Sequence, residues 1–128
     1  MRIIFLAEQK RHINYFNDFF VFFKWGKQLR KEGIDVSISY HKDDFEKKPA
    51  DIYAISNRYK FSEADGLKNL ANRLKQKGKK VALLDANDTS GLVNFDLIKD
   101  VDFIIKKQVL KDRQAYTQNN YDLSVRPW

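Results

Sequence analysis

Dense apolar runs of four to five residues alternate along this chain with longer stretches in which apolar residues recur three and four positions apart. Arg2 to Leu6 (RIIFL) is the first run, rich in β-branched and aromatic residues, and reads as a strand buried on both faces. After the polar turn AEQKRH, Asn14 or Asn17 is placed to cap a helix in which Phe16, Phe19, Phe20 and Phe23 recur at i, i+3, i+4 and i+7. Gly33 suits a left-handed C-cap for it. IDVSISY (34–40) alternates as a strand does, and ADIYAIS (50–56), after Pro49, supplies the next strand, ended by Asn57 and Arg58. No helix is expected between these two strands.

Ser62 and Asp65 resemble a capping box, with Asp in place of Glu, and Leu67, Leu70, Ala71 and Leu74 form the stripe of a second helix closed by Gly78. VALLD (81–85) reads as the fourth strand, Leu92 to Lys99 as a short helix, VDFII (101–105) as the fifth strand and QVLKDRQAY (108–116) as a last helical segment. Parallel strands need crossovers, and these are nearly always right-handed. The expected fold is therefore α/β: a Rossmann-like three-layer α/β/α sandwich with a mostly parallel sheet of about five strands. Residues 1–128 are expected to form a single Rossmann-like domain. The tail NNYDLSVRPW starts another strand pattern just before the chain ends, as the N-terminal half of a longer two-domain protein would.

Composition narrows the classes. A chain of 128 residues with 43% hydrophobic content can bury a core without a disulfide or a metal. The absence of cysteine excludes a disulfide framework, a thiolate metal site and a cysteine nucleophile, and fits a cytoplasmic setting. The first apolar run is too short for a signal-peptide core or a bilayer span. A net charge of +7 favours anionic partners. Much of that excess sits in LKNLANRLKQKGKK, where six basic residues occur without an acid, the pattern of a solvated helix face with cations in its last turn.

In open parallel sheets ligands gather beyond the carboxyl ends of the strands. The polar residues at those ends are Glu8, Gln9, Lys10, Arg11 and His12, then His41, then Ser56, Asn57 and Arg58. Asp85, Asn87, Asp88, Thr89 and Ser90 follow the fourth strand, and Lys106 and Lys107 the fifth. Known nucleotide fingerprints are missing: neither G-x-G-x-x-G nor G-x-x-x-x-G-K-[ST] occurs. DANDTSGLVNFD fails as a calcium loop, because Ser90 stands where the sharp turn needs Gly and a strand precedes it. Asp85 and Asp88 are also spaced wrongly for the one-residue separation of a nucleotide-sugar metal motif. A phosphorylation receiver needs an acidic cluster near the first strand, an aspartate ending a central strand and a lysine ending the fifth. Asp85 and Lys106 fill two of these places, but only Glu8 stands near the first where acids must hold Mg²⁺, so that reading is set aside.

Architecture accounts for Asp88 or Thr89 as the cap of the next helix, with Gly91 in its first turn. Asp85 finishes the strand with its carboxylate expected to face the ligand crevice. His12, between first strand and first helix, is the better placed of the two histidines for a general base. Seven aromatics lie within Tyr15 to Trp25, beside Lys24, Lys27, Arg30 and Lys31. That composition suits a helix buried between the sheet and a partner domain, or one lying on an anionic membrane.

RIIFLAEQ, FFKWGKQLRKEGIDVSI, ADIYAISNRY, KGKKVALLDANDTSG and VDFIIKKQVLKDRQAY together resemble the N-terminal half of bacterial surface-polysaccharide glycosyltransferases of the GT-B type. The resemblance implies an acceptor-binding domain whose nucleotide-sugar donor sits on a C-terminal domain missing from these residues. It implies metal- and cofactor-independent transfer to a sugar or lipid-linked sugar acceptor, with His12 or Asp85 as catalytic base. Glu8, Gln9, Lys10, Asn57, Arg58, Asn87, Asp88, Thr89, Ser90, Lys106 and Lys107 would line the acceptor side. A cytoplasmic location is expected, with peripheral contact at the inner face of the membrane through the aromatic and basic first helix. AEQKRH lacks the Gly-rich turn that many members carry. The alternative is a freestanding Rossmann-like binding module for phosphorylated ligands or nucleic acid. Nucleic acid is not favoured, because the aromatics concentrate in one helix at core spacing.

Overall fold

The computed structural model describes residues 1–8, 13–86 and 99–106. Five parallel strands form one sheet: β1 (Arg2–Leu6), β2 (Asp35–Ser39), β3 (Ile52–Ser56), β4 (Lys80–Asp85) and β5 (Phe103–Lys106). Their lateral order is β2-β1-β3-β4-β5, so the chain winds outward from β1 to one edge and then to the other. The expected three-layer α/β/α sandwich with a five-stranded parallel sheet is what forms. Its winding is the flavodoxin-like one; in the dinucleotide-binding order, β2 would separate β1 from β3.

Both faces of the sheet are buried, and the alternation of side chains along each strand sends neighbouring residues to opposite layers. Ile4 and Leu6 of β1 join Tyr53, Ile55 and Val81 under α2 (Lys42–Lys47) and α3 (Gly66–Gln76), which contribute Phe45, Leu70, Ala71 and Leu74. Phe5 and Ala7 turn the other way, with Ala54, Ala82 and Leu84, under Phe19 and Phe22 of α1 (Ile13–Lys31). The Phe5 and Phe19 rings meet edge to face at 5.4 Å, as do Phe45 and Tyr53, and the Tyr53 hydroxyl donates to the Lys48 carbonyl at 2.7 Å.

Gly33 and Gly78, expected to end the two long helices, adopt φ of 75° and 71°, the left-handed conformation a side chain resists. Three sequence expectations are corrected. A helix, α2, does lie between β2 and β3; it is only six residues long and buries one side chain, Phe45, too little for a periodic signal. The inner stripe of α1 runs through Phe19 and Phe22, whereas Phe20 and Phe23 are 43% and 48% exposed. And α3 begins at Gly66, with Asp65 at its N-cap position making no side-chain cap hydrogen bond, so the Ser62–Asp65 box does not form the start. The segments read as a helix over 92–99 and as a last helix over 108–116 lie outside the described residues, apart from Lys99.

Candidate functional site

The carboxyl ends of β1, β3, β4 and β5 meet on one edge of the sheet, and parallel register decides which side chains face each other there. Asp85 and Lys106 are register partners, as the last residues of β4 and β5. Partners in adjacent parallel strands point to the same side of the sheet. The Lys106 ammonium donates to Asp85 Oδ2 at 2.7 Å, and the two side chains are 5% and 4% exposed.

The other carboxylate oxygen is also engaged. Ser56 pairs with Leu84 at the end of β3, and the Asn57 N–H donates to the Leu84 carbonyl at 3.0 Å, extending that pairing by one step. Asn57 is thereby held beside Asp85, where its Nδ2 donates to Asp85 Oδ1 at 2.9 Å and its Oδ1 accepts from the Ala86 N–H at 3.2 Å. These two bonds together fix the orientation of the amide, since a flipped Asn57 would set oxygen against carboxylate and N–H against N–H.

Arg58 carries the arrangement across to the first helix. Its Nη2 donates to the Ala86 carbonyl at 2.8 Å, and its Nε lies 3.0 Å from Oδ2 of Asp18 on α1, whose side chain is 3% exposed. Nε has no aligned hydrogen-bond acceptor, so this contact is an ion pair by proximity rather than a directed bond. Glu8, beyond β1, pairs with the exposed Lys60 at 3.6 Å. Ser56 is buried, and its Oγ accepts from the Arg58 N–H at 3.2 Å. His41 is exposed at the start of α2.

Of the residues singled out from the sequence, Asn57, Arg58, Asp85 and Lys106 come together, while Glu8 is paired with Lys60. Gln9, Lys10, Arg11, His12, Asn87, Asp88, Thr89, Ser90 and Lys107 lie outside the described residues. The Asp85 carboxylate, expected to face a crevice, is buried between an amide and an ammonium. Asp18 was not anticipated; the signal was an acid inside an otherwise aromatic run, NYFNDFFVFF, where burial demands a partner.

Mg²⁺ takes near-octahedral oxygen ligands, usually including one or two carboxylates. Among the described residues no group of three or more His, Cys, Asp or Glu side chains is close enough to hold a metal ion. With Asp85 already compensated by Lys106 and the end of β3 reading Ser56-Asn57-Arg58, the donor set among the described residues does not fit that ion. Nor is any helix among the described residues long and apolar enough to cross a membrane.

No family model and no curated protein matches this chain. Solved structures do. The receiver domain of the TMAO respiratory system response regulator TorR shares 14% identity, with 91% of this chain and 90% of that one covered and a TM-score of 0.53. The response regulator TrrA of Thermotoga maritima, in complex with Mg²⁺ and beryllium fluoride, shares 16% identity over 91% of each chain at a TM-score of 0.51. RcsB of Salmonella enterica serovar Typhimurium, bound to a promoter in the presence of a beryllium fluoride phosphomimetic, shares 17% identity. It covers 91% of this chain and 96% of its own, at a TM-score of 0.54.

These neighbours correct the glycosyltransferase resemblance. The matching folds are response-regulator receivers, and the strand order β2-β1-β3-β4-β5 is the flavodoxin-like one of that architecture. The sugar or lipid-linked acceptor, the nucleotide-sugar donor and the role in polysaccharide synthesis drawn from that resemblance fall with it, and the membrane contact read from the composition of the first helix finds no support. So does the alternative of a freestanding module for phosphorylated ligands or nucleic acid. The receiver fold, set aside on the sequence for want of acids near β1, is the one that matches: the described residues form a three-layer α/β/α sandwich of receiver-type architecture.

Proposed function

We propose that this chain is a receiver-type signalling module whose output is contact with another protein. Its strand-end site is closed by its own buried ion pair instead of working through Mg²⁺-dependent phosphoryl exchange. The fold likeness supports the first half of this reading. The observation that carries the second is the 2.7 Å bond from Lys106 to Asp85, with Asn57 on the remaining oxygen.

A carboxylate serves as phosphoryl acceptor when an oxygen is exposed to the donor and a cation offsets the charge of the incoming group. Asp85 meets neither condition: both oxygens are hydrogen-bonded inside the protein, and the neighbouring cation is spent on the carboxylate itself. The pair ties the ends of β3, β4 and β5 into one rigid unit, and Arg58 adds α1 through Asp18. Such a unit holds the strand-end loops in one arrangement without a modification to select it.

Incubation of the protein with acetyl phosphate and Mg²⁺, followed by intact-mass measurement under mild acid, tests this. The expected spectrum shows the unmodified mass alone. A phosphoryl adduct abolished by Asp85→Asn would overturn the reading and make Asp85 an acceptor.

A further inference from the structure

A groove of about 500 Å³ lies between α1 and the edge strand β2 and shares no lining residue with the Asp85–Lys106 cluster. The geometry points to this groove as the docking site for an acidic, apolar-faced helix of a partner protein. From the earlier reading this takes only that the output is protein contact.

Apolar side chains and cations line the groove together. Phe23 and Leu29 of α1 line it on one side, and Val36 and Ile38 of β2 with Tyr40 just beyond that strand line it on the other. Phe20, Phe23, Lys24, Lys27, Arg30 and Lys31 are spaced i, i+3, i+4, i+7, i+10 and i+11, which sets them along a single flank of the helix, and Lys27 and Arg30 also line the groove. No Asp or Glu occurs between Asp18 and Glu32, so nothing on α1 itself offsets this charge along the flank. Lys24 sits over the exposed Phe20 ring at 5.7 Å, mixing cation and aromatic surface.

Charge and shape select the occupant. A second copy would set the same four cations against themselves, which costs free energy at an interface. A bilayer is flat on this scale and does not reach a concave floor. A helix with apolar anchors at i, i+3 or i+4, and i+7 fills a groove of this size, which follows α1 from Phe22 to Arg30. Carboxylates flanking those anchors would meet Lys27, Arg30 and Lys31, adding specificity and speed of encounter.

The test titrates the 128-residue protein with a synthetic helical peptide of about 18 residues bearing Leu anchors at that spacing and Glu on both flanks. The same peptide with Lys in place of Glu, phosphatidylserine vesicles and a random-sequence DNA oligonucleotide are titrated in parallel. The Glu peptide is expected to bind, the Lys peptide at least about tenfold more weakly. Lys27→Glu with Arg30→Glu is expected to weaken the Glu peptide about tenfold, and Phe23→Ala about fivefold or more. All three are surface changes, and a thermal melt confirms that each variant is folded. Equal binding of the two peptides, unchanged binding by the folded variants, or tighter binding to vesicles or oligonucleotide would overturn the inference. A phosphoryl adduct on Asp85 bears on the strand-end site alone and leaves this outcome unaffected.

Discussion

Lys106 and Asp85 end adjacent strands in register, and the ammonium of one lies 2.7 Å from the carboxylate of the other with both side chains at least nine-tenths buried. A buried pair of this kind adds little over a well-packed apolar pair, because desolvation cancels most of the attraction. Removing one partner is another matter, since it leaves an uncompensated charge. Lys106→Met is expected to destabilise the domain by about 3 kcal/mol. Adding Asp85→Asn should return part of that loss. Urea unfolding of the two single variants and the double variant reads the coupling; strict additivity would show that the pair is not formed.

Asn57 serves Asp85 Oδ1 and the Ala86 N–H with opposite ends of one amide. Asn57→Ala leaves an acceptor and a buried donor with fewer partners, at an expected cost of about 1–3 kcal/mol. Asn57→Asp should cost more, because a second carboxylate then faces Asp85. Equal stability of the two variants, measured by chemical denaturation, would contradict the assigned contacts.

Phe45 fills the layer under α2 and stacks its edge on Tyr53. Phe45→Ala is expected to cost about 3–5 kcal/mol, a large effect for a residue in a six-residue helix. A loss below about 1 kcal/mol would show that the layer closes without it.

Gly66 begins α3 against Phe61, and an added Cβ would fall inside van der Waals contact of the Phe61 Cβ and ring. Gly66→Ala is therefore expected to destabilise by about 1–3 kcal/mol, despite the higher helix propensity of Ala. The thermal midpoint should drop accordingly; an increase would mean that the Phe61 loop yields freely.

The strands were legible in the sequence because RIIFL, DIYAIS and VALLD are dense apolar runs, and a strand buried on both faces has no other pattern to show. Their lateral order was not. Alternating strands and helices are shared by both doubly wound orders, and the choice between them rests on which helix packs on which face, a tertiary matter. α2 escaped because one Phe per six residues carries no period. At the site, Asp85, Asn57, Arg58 and Lys106 were each marked by their position after a strand. Their mutual pairing depended on the β4–β5 register, which no local pattern encodes. Phe20 and Phe23 satisfied a helical stripe by spacing, yet the partly buried Phe22 joined Phe19 against the sheet, because the aromatic run offers several equivalent stripes.

The most direct test of the closed strand-end site is an amide NMR spectrum of the protein titrated with Mg²⁺ and then with beryllium fluoride. No site-specific shifts at Asn57, Asp85, Ala86 or Lys106 are expected in either step. Saturable shifts at those four residues that require both Mg²⁺ and beryllium fluoride would contradict the closed site, since the Asp85–Lys106 pair would then open for a phosphoryl group.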